Sequence, residues 1–321
     1  MQSFQTLSAL FDEQFSKRHF PISPKNLYDA SQYILNIGGK RVRPVSVLMG
    51  NELFNDLHAD AYRVANAIEL FHNFSLIHDD IMDKAPRRRG VPTVHMNYGE
   101  STALLAGDVM LVAAYEYLNT IHINHLHAIL SIFNRTAREV CEGQQLDMDF
   151  EKREQVSLEE YLHMITLKTS VLLAASLQMG AILGGAGIGN REHIYEFGKN
   201  LGIAFQVQDD YLDCFGDPEK FGKQVGGDIL SNKKTFLLIH ATEVATATQQ
   251  KELQNLLNSN PDDKVARMLQ LFRDCKADAW AASLKEKYYA AAMQQMDDIA
   301  VLSARKKELQ QLAAYLLERE S

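Results

Sequence analysis

The chain has little cysteine, no long run of basic residues and a long interval without proline, and each shortage narrows what it can be. Its three cysteines, Cys141, Cys214 and Cys275, are widely separated in 321 residues and match no zinc or redox spacing. That excludes a disulfide framework and points to a reducing compartment, so the expected location is cytoplasmic. A net charge of −8 without a basic stretch argues against a nucleic-acid surface. The N-terminal MQSFQTLSALFDEQFSKRHF lacks a basic start followed by an apolar run, so no signal peptide is expected. Residues 169–190 carry no charge and are long enough to span a bilayer, yet they contain Ser170, Ser176, Gln178 and several glycines. The expectation is a helix buried on all sides rather than a transmembrane segment.

Proline is missing between Pro92 and Pro218, where Ala, Leu, Met, Glu and Gln dominate and apolar residues recur at three and four. Runs such as ALLAGDVMLVAAYEYL are too long for strands, and no hairpin dipeptide separates alternating segments. Breaks fall at HFPISPKN, APRRRGVPT, FEKREQVS, GAGIGN, FGDPEKFGKQVGGD and NSNPDD, none of them long enough for an interdomain linker. No repeat of 20–50 residues is visible. The prediction is an all-α chain, residues 1–321 forming a single domain of about a dozen helices.

Against this background one stretch stands out: IHDDIMDKAPRRRG, residues 77–90. On a helix Asp79, Asp80 and Asp83 fall at about 0°, 100° and 40°, so all three carboxylates share a face. Three anions so placed repel unless a cation sits among them, and Mg²⁺, which bridges carboxylates to substrate phosphates, is the natural partner. An acidic surface face is the simpler alternative, and Asp-Asp pairs are common here. Asp262–Asp263 and Asp297–Asp298 lack an aspartate three positions beyond the pair and serve as internal controls. Asp209, Asp210 and Asp213 repeat the pattern as DDYLD, although a random DDxxD is expected only about 0.09 times in this composition. Apolar sequence leads into both copies, and His72 and Gln206 fall within the two acidic arcs. Basic residues supply the other half of an anion site: Arg87, Arg88 and Arg89, Lys223, Lys233 and Lys234, and the glycine-led GGKRVRP of residues 38–44. Mg²⁺-bridged acids with Arg and Lys describe a diphosphate site.

GGKRVRP, ELFHNFSLIHDDIMDKAPRRRGVPTVH, LLAGDVML, EGQQLDMD, YLHMITLKTSVLL, GIAFQVQDDYLD and FGKQVGGDI…NKKT together resemble the trans-isoprenyl (polyprenyl) diphosphate synthases in order and spacing, over essentially the whole chain. The resemblance implies an isoprenoid-synthase-type helical bundle around a central cavity and a homodimer. It also implies a prenyltransferase that condenses isopentenyl diphosphate with an allylic diphosphate. Three Mg²⁺ ions per active site, replaceable by Mn²⁺, are implied, with Asp79, Asp80, Asp83 and Asp209 as metal ligands and Asp210 and Asp213 completing the second motif. By position, Lys40, Arg43, His72 and Arg89 resemble the isopentenyl diphosphate site. Arg88, Lys168, Lys223 and Lys233 resemble the cations on the allylic diphosphate, with Thr169 and Gln206 near the reacting carbons. Gln144 and Asp147 support the metal site, while Arg87 takes no role.

In the family a bulky side chain four or five positions before the first motif stops chain growth. Here those positions are Ser75 and Phe74, with Phe71 a turn earlier. One aromatic with a small neighbour resembles the twenty-carbon synthases, making geranylgeranyl diphosphate the expected product and farnesyl diphosphate the alternative. A terpene cyclase would replace the second DDxxD, and a non-catalytic synthase subunit would lose one motif; both copies are intact.

Overall fold

Almost every segment with apolar residues at three- and four-residue spacing forms a helix in the computed structural model, which describes residues 1–216 and 226–318. The all-α class is the class found. In order come α1 (Phe4–Phe15), α2 (Lys25–Asn36), α3 (Val42–Glu52), α4 (Ala59–Met82), α5 (Val94–Tyr98), α6 (Glu100–Asn119) and α7 (Ile123–Glu151). Next are α8 (Leu158–Ile165), α9 (Val171–Leu183) and α10 (Ile188–Phe215), followed by helices at Gly227–Leu230, Phe236–Val244, Ala247–Asn258, Lys264–Asp274, Ala277–Asp298 and Ser303–Glu318. Among the described residues the only strands are β1 (Arg87–Arg88) and β2 (Val91–Pro92). They pair antiparallel with Arg88 opposite Val91, so the APRRRGVPT break is a hairpin rather than an open loop.

The chain divides into two compact units. The first comprises residues 1–137, 172–195 and 298–310. Its central element is α4, which packs chiefly against α6 and α3. Ala61, Val64, Ala65, Ile68, Leu70, Phe71, Phe74 and Ile77 are buried around most of its circumference, as a core helix requires. His58 starts it by accepting the Asp60 N–H on its side chain. The second unit comprises residues 138–171, 196–297 and 311–321. Its core joins Tyr161, Ile165, Val207, Phe236, Leu237, Met268, Phe272 and Ala281.

The uncharged stretch around α9 is interior. Leu158–Leu183 is the one helical stretch among the described residues long and apolar enough to cross a membrane, and 78% of its apolar window is buried. Its glycine has a packing reason: a Cβ on Gly180 would lie 2.0 Å from the Val47 carbonyl oxygen of α3, so the two helices cross backbone against backbone. Gly180→Ala is therefore expected to destabilise the protein by about 2 kcal/mol or more, read as a lower urea midpoint. Gly189→Ala, where a Cβ meets nothing within 4 Å, is the control. Equal midpoints for the two variants would show that α9 can give way.

Candidate active site

The first acidic motif ends α4. Asp83 caps the helix, Lys84 turns left-handed (φ 51), and Lys84 N and Ala85 N close back onto Ile81 O (3.2 Å) and Asp80 O (3.0 Å). This is a Schellman turn. The chain then folds back as the hairpin. Its two turn residues, Arg89 (φ 51) and Gly90 (φ 80), both have the positive φ of a type I′ turn. Thr93 pins the hairpin to the helix end by donating from its hydroxyl to Ala85 O (2.8 Å). Arg88 is thereby carried back to the motif: its Nε donates to Asp80 Oδ2 (2.9 Å) and Oδ1 (3.0 Å), and its Nη2 lies 3.5 Å from Asp79 Oδ2. Burial pushes the Asp80 carboxyl above its usual range, and the Arg88 hydrogen bond and charge pull it back. Asp83 is exposed at the rim.

A basic cradle lies in the same unit. Arg43 Nη1 donates to His72 Nε2 (3.2 Å), and the Arg89 guanidinium packs on Gly39, beside exposed Lys40. Burial holds His72 well below its ordinary pKa, and the charges of Arg43, Arg89, Arg88 and Arg41 add to the effect. The imidazole is therefore neutral and able to accept from Arg43. Sequence reasoning missed the pair beneath this cradle. Left-handed Arg41 (φ 52) donates to the buried carboxylate of Glu69, which Asn73 Nδ2 also meets at 3.0 Å. A glutamate set between Ala67–Ile68 and Leu70–Phe71, in the buried middle of α4, was the available signal.

Below the motif, Phe74 and Phe71 are both buried with ring centroids 5.5 Å apart, and Phe71 packs edge-on against Phe133 at 5.4 Å. Ser75 is half-buried and donates to His72 O (2.8 Å).

In the second unit, α8 passes into a π-helical turn at Thr166–Ser170. A Cβ on Gly143 would lie 2.3 Å from Lys168 N, so α7 touches that turn directly. The turn presents Lys168 and Thr169: Lys168 Nζ donates to Asp147 Oδ2 (2.6 Å) and Thr169 Oγ1 to Gln206 Oε1 (3.0 Å). Gln206 Nε2 in turn donates to Asp210 Oδ1 (2.8 Å). The other oxygen of Asp210 accepts from the buried Tyr161 hydroxyl at 2.5 Å. Asp147, Lys168, Thr169, Gln206, Asp210 and Lys233 line one pocket, together with Tyr161, Asp228 and Lys234. Asp213 accepts the Asp228 N–H (3.0 Å). Tyr161 and Asp228 were missed from sequence. Tyr161 looks like any helical core residue, and Asp228 sits in a glycine-rich break that gives it no register. Lys223 lies outside the described residues.

Burial, and then the charge of Asp228, push Asp210 up to about 8 despite its two donors, with Asp209 adding to the rise. Hard oxygen donors that raise one another in this way fit a divalent cation, and Mg²⁺ in particular. Among the described residues no group of three or more His, Cys, Asp or Glu side chains is placed to hold a metal ion by itself. Mg²⁺ does not require one, because it keeps waters and takes phosphate oxygens beside one or two carboxylates.

A polyprenyl synthetase family model matches residues 24–275. A short chain isoprenyl diphosphate synthase from Methanothermobacter thermautotrophicus is 37% identical over 321 residues, covering 100% of this chain and 98% of its own. A geranylgeranyl diphosphate synthase from Saccharolobus solfataricus is 36% identical, covering 99% of each. A crystal structure of a geranylgeranyl pyrophosphate synthase superposes with a TM-score of 0.94 at 42% identity over 100% of both chains. The chain belongs to the polyprenyl synthetase family and is an isoprenyl diphosphate synthase. Its reaction class is short-chain prenyl transfer.

The depressed pKa of His72 has a measurable sign. Below about pH 6.5 the unfolded chain takes up a proton there that the folded chain refuses, so this residue's contribution to stability falls as pH falls. Between pH 6 and 5, His72→Asn should reduce the slope of stability against pH, relative to wild type, by up to about 1.4 kcal/mol per pH unit. Parallel urea-denaturation curves for the two proteins would contradict a buried neutral imidazole.

Proposed function

We propose that the protein is a Mg²⁺-dependent trans-prenyltransferase that adds isopentenyl diphosphate head-to-tail to allylic diphosphates and stops at geranylgeranyl diphosphate. The observation that carries the chain length is Phe74, buried against Phe71 five positions before Asp79, with only Ser75 at the fourth.

In this reading Asp79, Asp80, Asp83 and Asp209 hold Mg²⁺, three ions to a site, with Mn²⁺ able to substitute. Bound there, the metal neutralises the diphosphate and stabilises the departing pyrophosphate. The chain's own residues do the rest. Arg88, Lys168 and Lys233 grip the allylic diphosphate, and Lys223 is assigned to the same group. Arg88 also holds Asp80 on both oxygens and reaches Asp79. Tyr161 and Gln206 hold Asp210 in one orientation. Lys40, Arg43, Arg89 and the neutral His72 grip isopentenyl diphosphate. As the allylic C1–O bond breaks, its electron pair leaves with pyrophosphate; the isopentenyl double bond then attacks C1 and a proton is lost to pyrophosphate. Thr169 and Gln206 place neutral dipoles beside the cation without offering it a nucleophile. Phe71 and Phe74 form the floor. No protein nucleophile is needed.

We place the enzyme in the cytoplasm, in keeping with three unpaired cysteines. We also propose a homodimer: Leu104, Leu105 and Val112 on one face of α6 are 49%, 55% and 58% exposed, an apolar surface that a second copy would cover. Sedimentation should give twice the 36.2 kDa chain mass, and Leu105→Lys should shift the protein towards the monomer.

The decisive assay incubates the protein with isopentenyl and dimethylallyl diphosphates, with and without Mg²⁺, and separates the dephosphorylated alcohols. Geranylgeraniol should appear only with Mg²⁺, and Phe74→Ala should extend the product by at least one isoprene unit. A farnesol end-point would keep the transferase and discard the floor. Elongation after exhaustive chelation would remove the metal from the mechanism.

A further inference from the structure

The short helix Gly227–Leu230 ends in a second Schellman turn. Ser231 is its right-handed cap and Asn232 follows at φ 54; the closing bonds run from Asn232 N to Ile229 O (3.2 Å) and from Lys233 N to Asp228 O (2.9 Å). Such a turn usually carries glycine at the left-handed position, with an apolar contact across it. Here the left-handed residue is asparagine. The two residues joined by the outer bond of the turn are Asp228 and Lys233, both lining the pocket of Asp210.

Asn232 is tethered from two sides. Its Nδ2 donates to Leu257 O (3.1 Å) and its Oδ1 accepts from Lys264 Nζ (2.8 Å). Lys264 is only 2% exposed, although lysine is seldom buried without a charged partner. Its ammonium meets a neutral amide, an arrangement that costs stability and calls for a reason. Burial depresses the ammonium's pKa, the sign of a desolvated group.

We propose that Lys264 is a positioning residue for the pyrophosphate pocket: acting through Asn232, it locks the turn that sets Lys233 beside Asp228. The inference rests on the reading of Lys233 as a cation on the allylic diphosphate. Lys264 touches no substrate itself. Its effect is therefore confined to one substrate and disappears when the turn no longer needs a tether.

The test compares Lys264→Met, Asn232→Gly, the double variant and Lys264→Arg in steady-state kinetics with Mg²⁺. Lys264→Met should raise KM for the allylic diphosphate about five- to tenfold, the range of one lost hydrogen bond. It should leave KM for isopentenyl diphosphate unchanged and move kcat less. Lys264→Arg keeps a donor and should recover most of the loss. Glycine holds a left-handed turn unaided, so adding Lys264→Met to Asn232→Gly should cost less than about twofold. A loss shared equally by both substrates, or one undiminished in the Asn232→Gly background, would overturn the proposal.

Amide hydrogen exchange separates this inference from the reading beneath it. Lys264→Met should speed exchange at the Lys233 amide, which bonds Asp228 O, and unchanged exchange there sinks the tether. Lys233→Ala with an unaltered allylic KM would instead overturn the diphosphate role of Lys233, and the functional half of the proposal with it. If Lys264→Met does not fold, the Asn232→Gly double variant and Lys264→Arg decide the same question.

Discussion

Both acidic motifs stand at the end of a helix that least tolerates negative charge. The C-terminus of a helix carries a partial negative charge, and each carboxylate placed there costs about 0.3–1 kcal/mol before the carboxylates repel one another. α4 ends on Asp79, Asp80 and Asp83, and α10, which runs to Phe215, carries Asp213 in its last turn and Asp209 and Asp210 in the turn before. Much of the local structure answers that repulsion. In the first unit the answer is a cation, Arg88, held on both oxygens of Asp80. In the second, the answers nearest Asp210 are neutral: the Tyr161 hydroxyl, the Gln206 amide and, for Asp213, the Asp228 N–H. Neutral donors orient a carboxylate without cancelling its charge, and burial, with the charge of Asp228 beside it, carries Asp210 up to about 8 in spite of them.

That difference explains features that otherwise look unrelated. To bring Arg88 back to Asp80, the chain must reverse within a few residues, and it does so with three positive φ angles at Lys84, Arg89 and Gly90. To bring Lys168 and Thr169 to the second pocket, the backbone widens into a π-helical turn, and α7 contributes a glycine where that turn presses against it. Irregular backbone of this kind collects where side chains must be aimed rather than merely packed. The basic cradle follows the same logic: Arg41 is left-handed and paired with buried Glu69, which leaves Arg43 to meet His72.

The helices were legible because their apolar residues repeat at the helical period, and the uncharged stretch through α9 was legible as core because polar side chains interrupt it. The two aspartate motifs were legible because their spacing places carboxylates on one face, which random composition rarely does. The arginines were legible as a cluster but not as individuals. Nothing in RRR says that Arg88 reaches Asp80 while Arg89 lies on Gly39, since that depends on the hairpin register. Glu69, Tyr161 and Asp228 lie inside quoted stretches but showed no role there, and Lys264 lies in none, because each acts through a partner distant in sequence.

The sequence by itself thus determined the helical class, the family, the two acidic faces and the aromatics beneath the first of them. These follow from periodicity and spacing along a single helix, which local geometry dictates. Tertiary structure alone decided which carboxylate is neutralised by a guanidinium and which is merely oriented by a phenol. It also decided that His72 is neutral and that a buried lysine steadies the turn before Lys233. Those outcomes depend on desolvation and on contacts between segments far apart in the chain, and both come into being only when the helices pack.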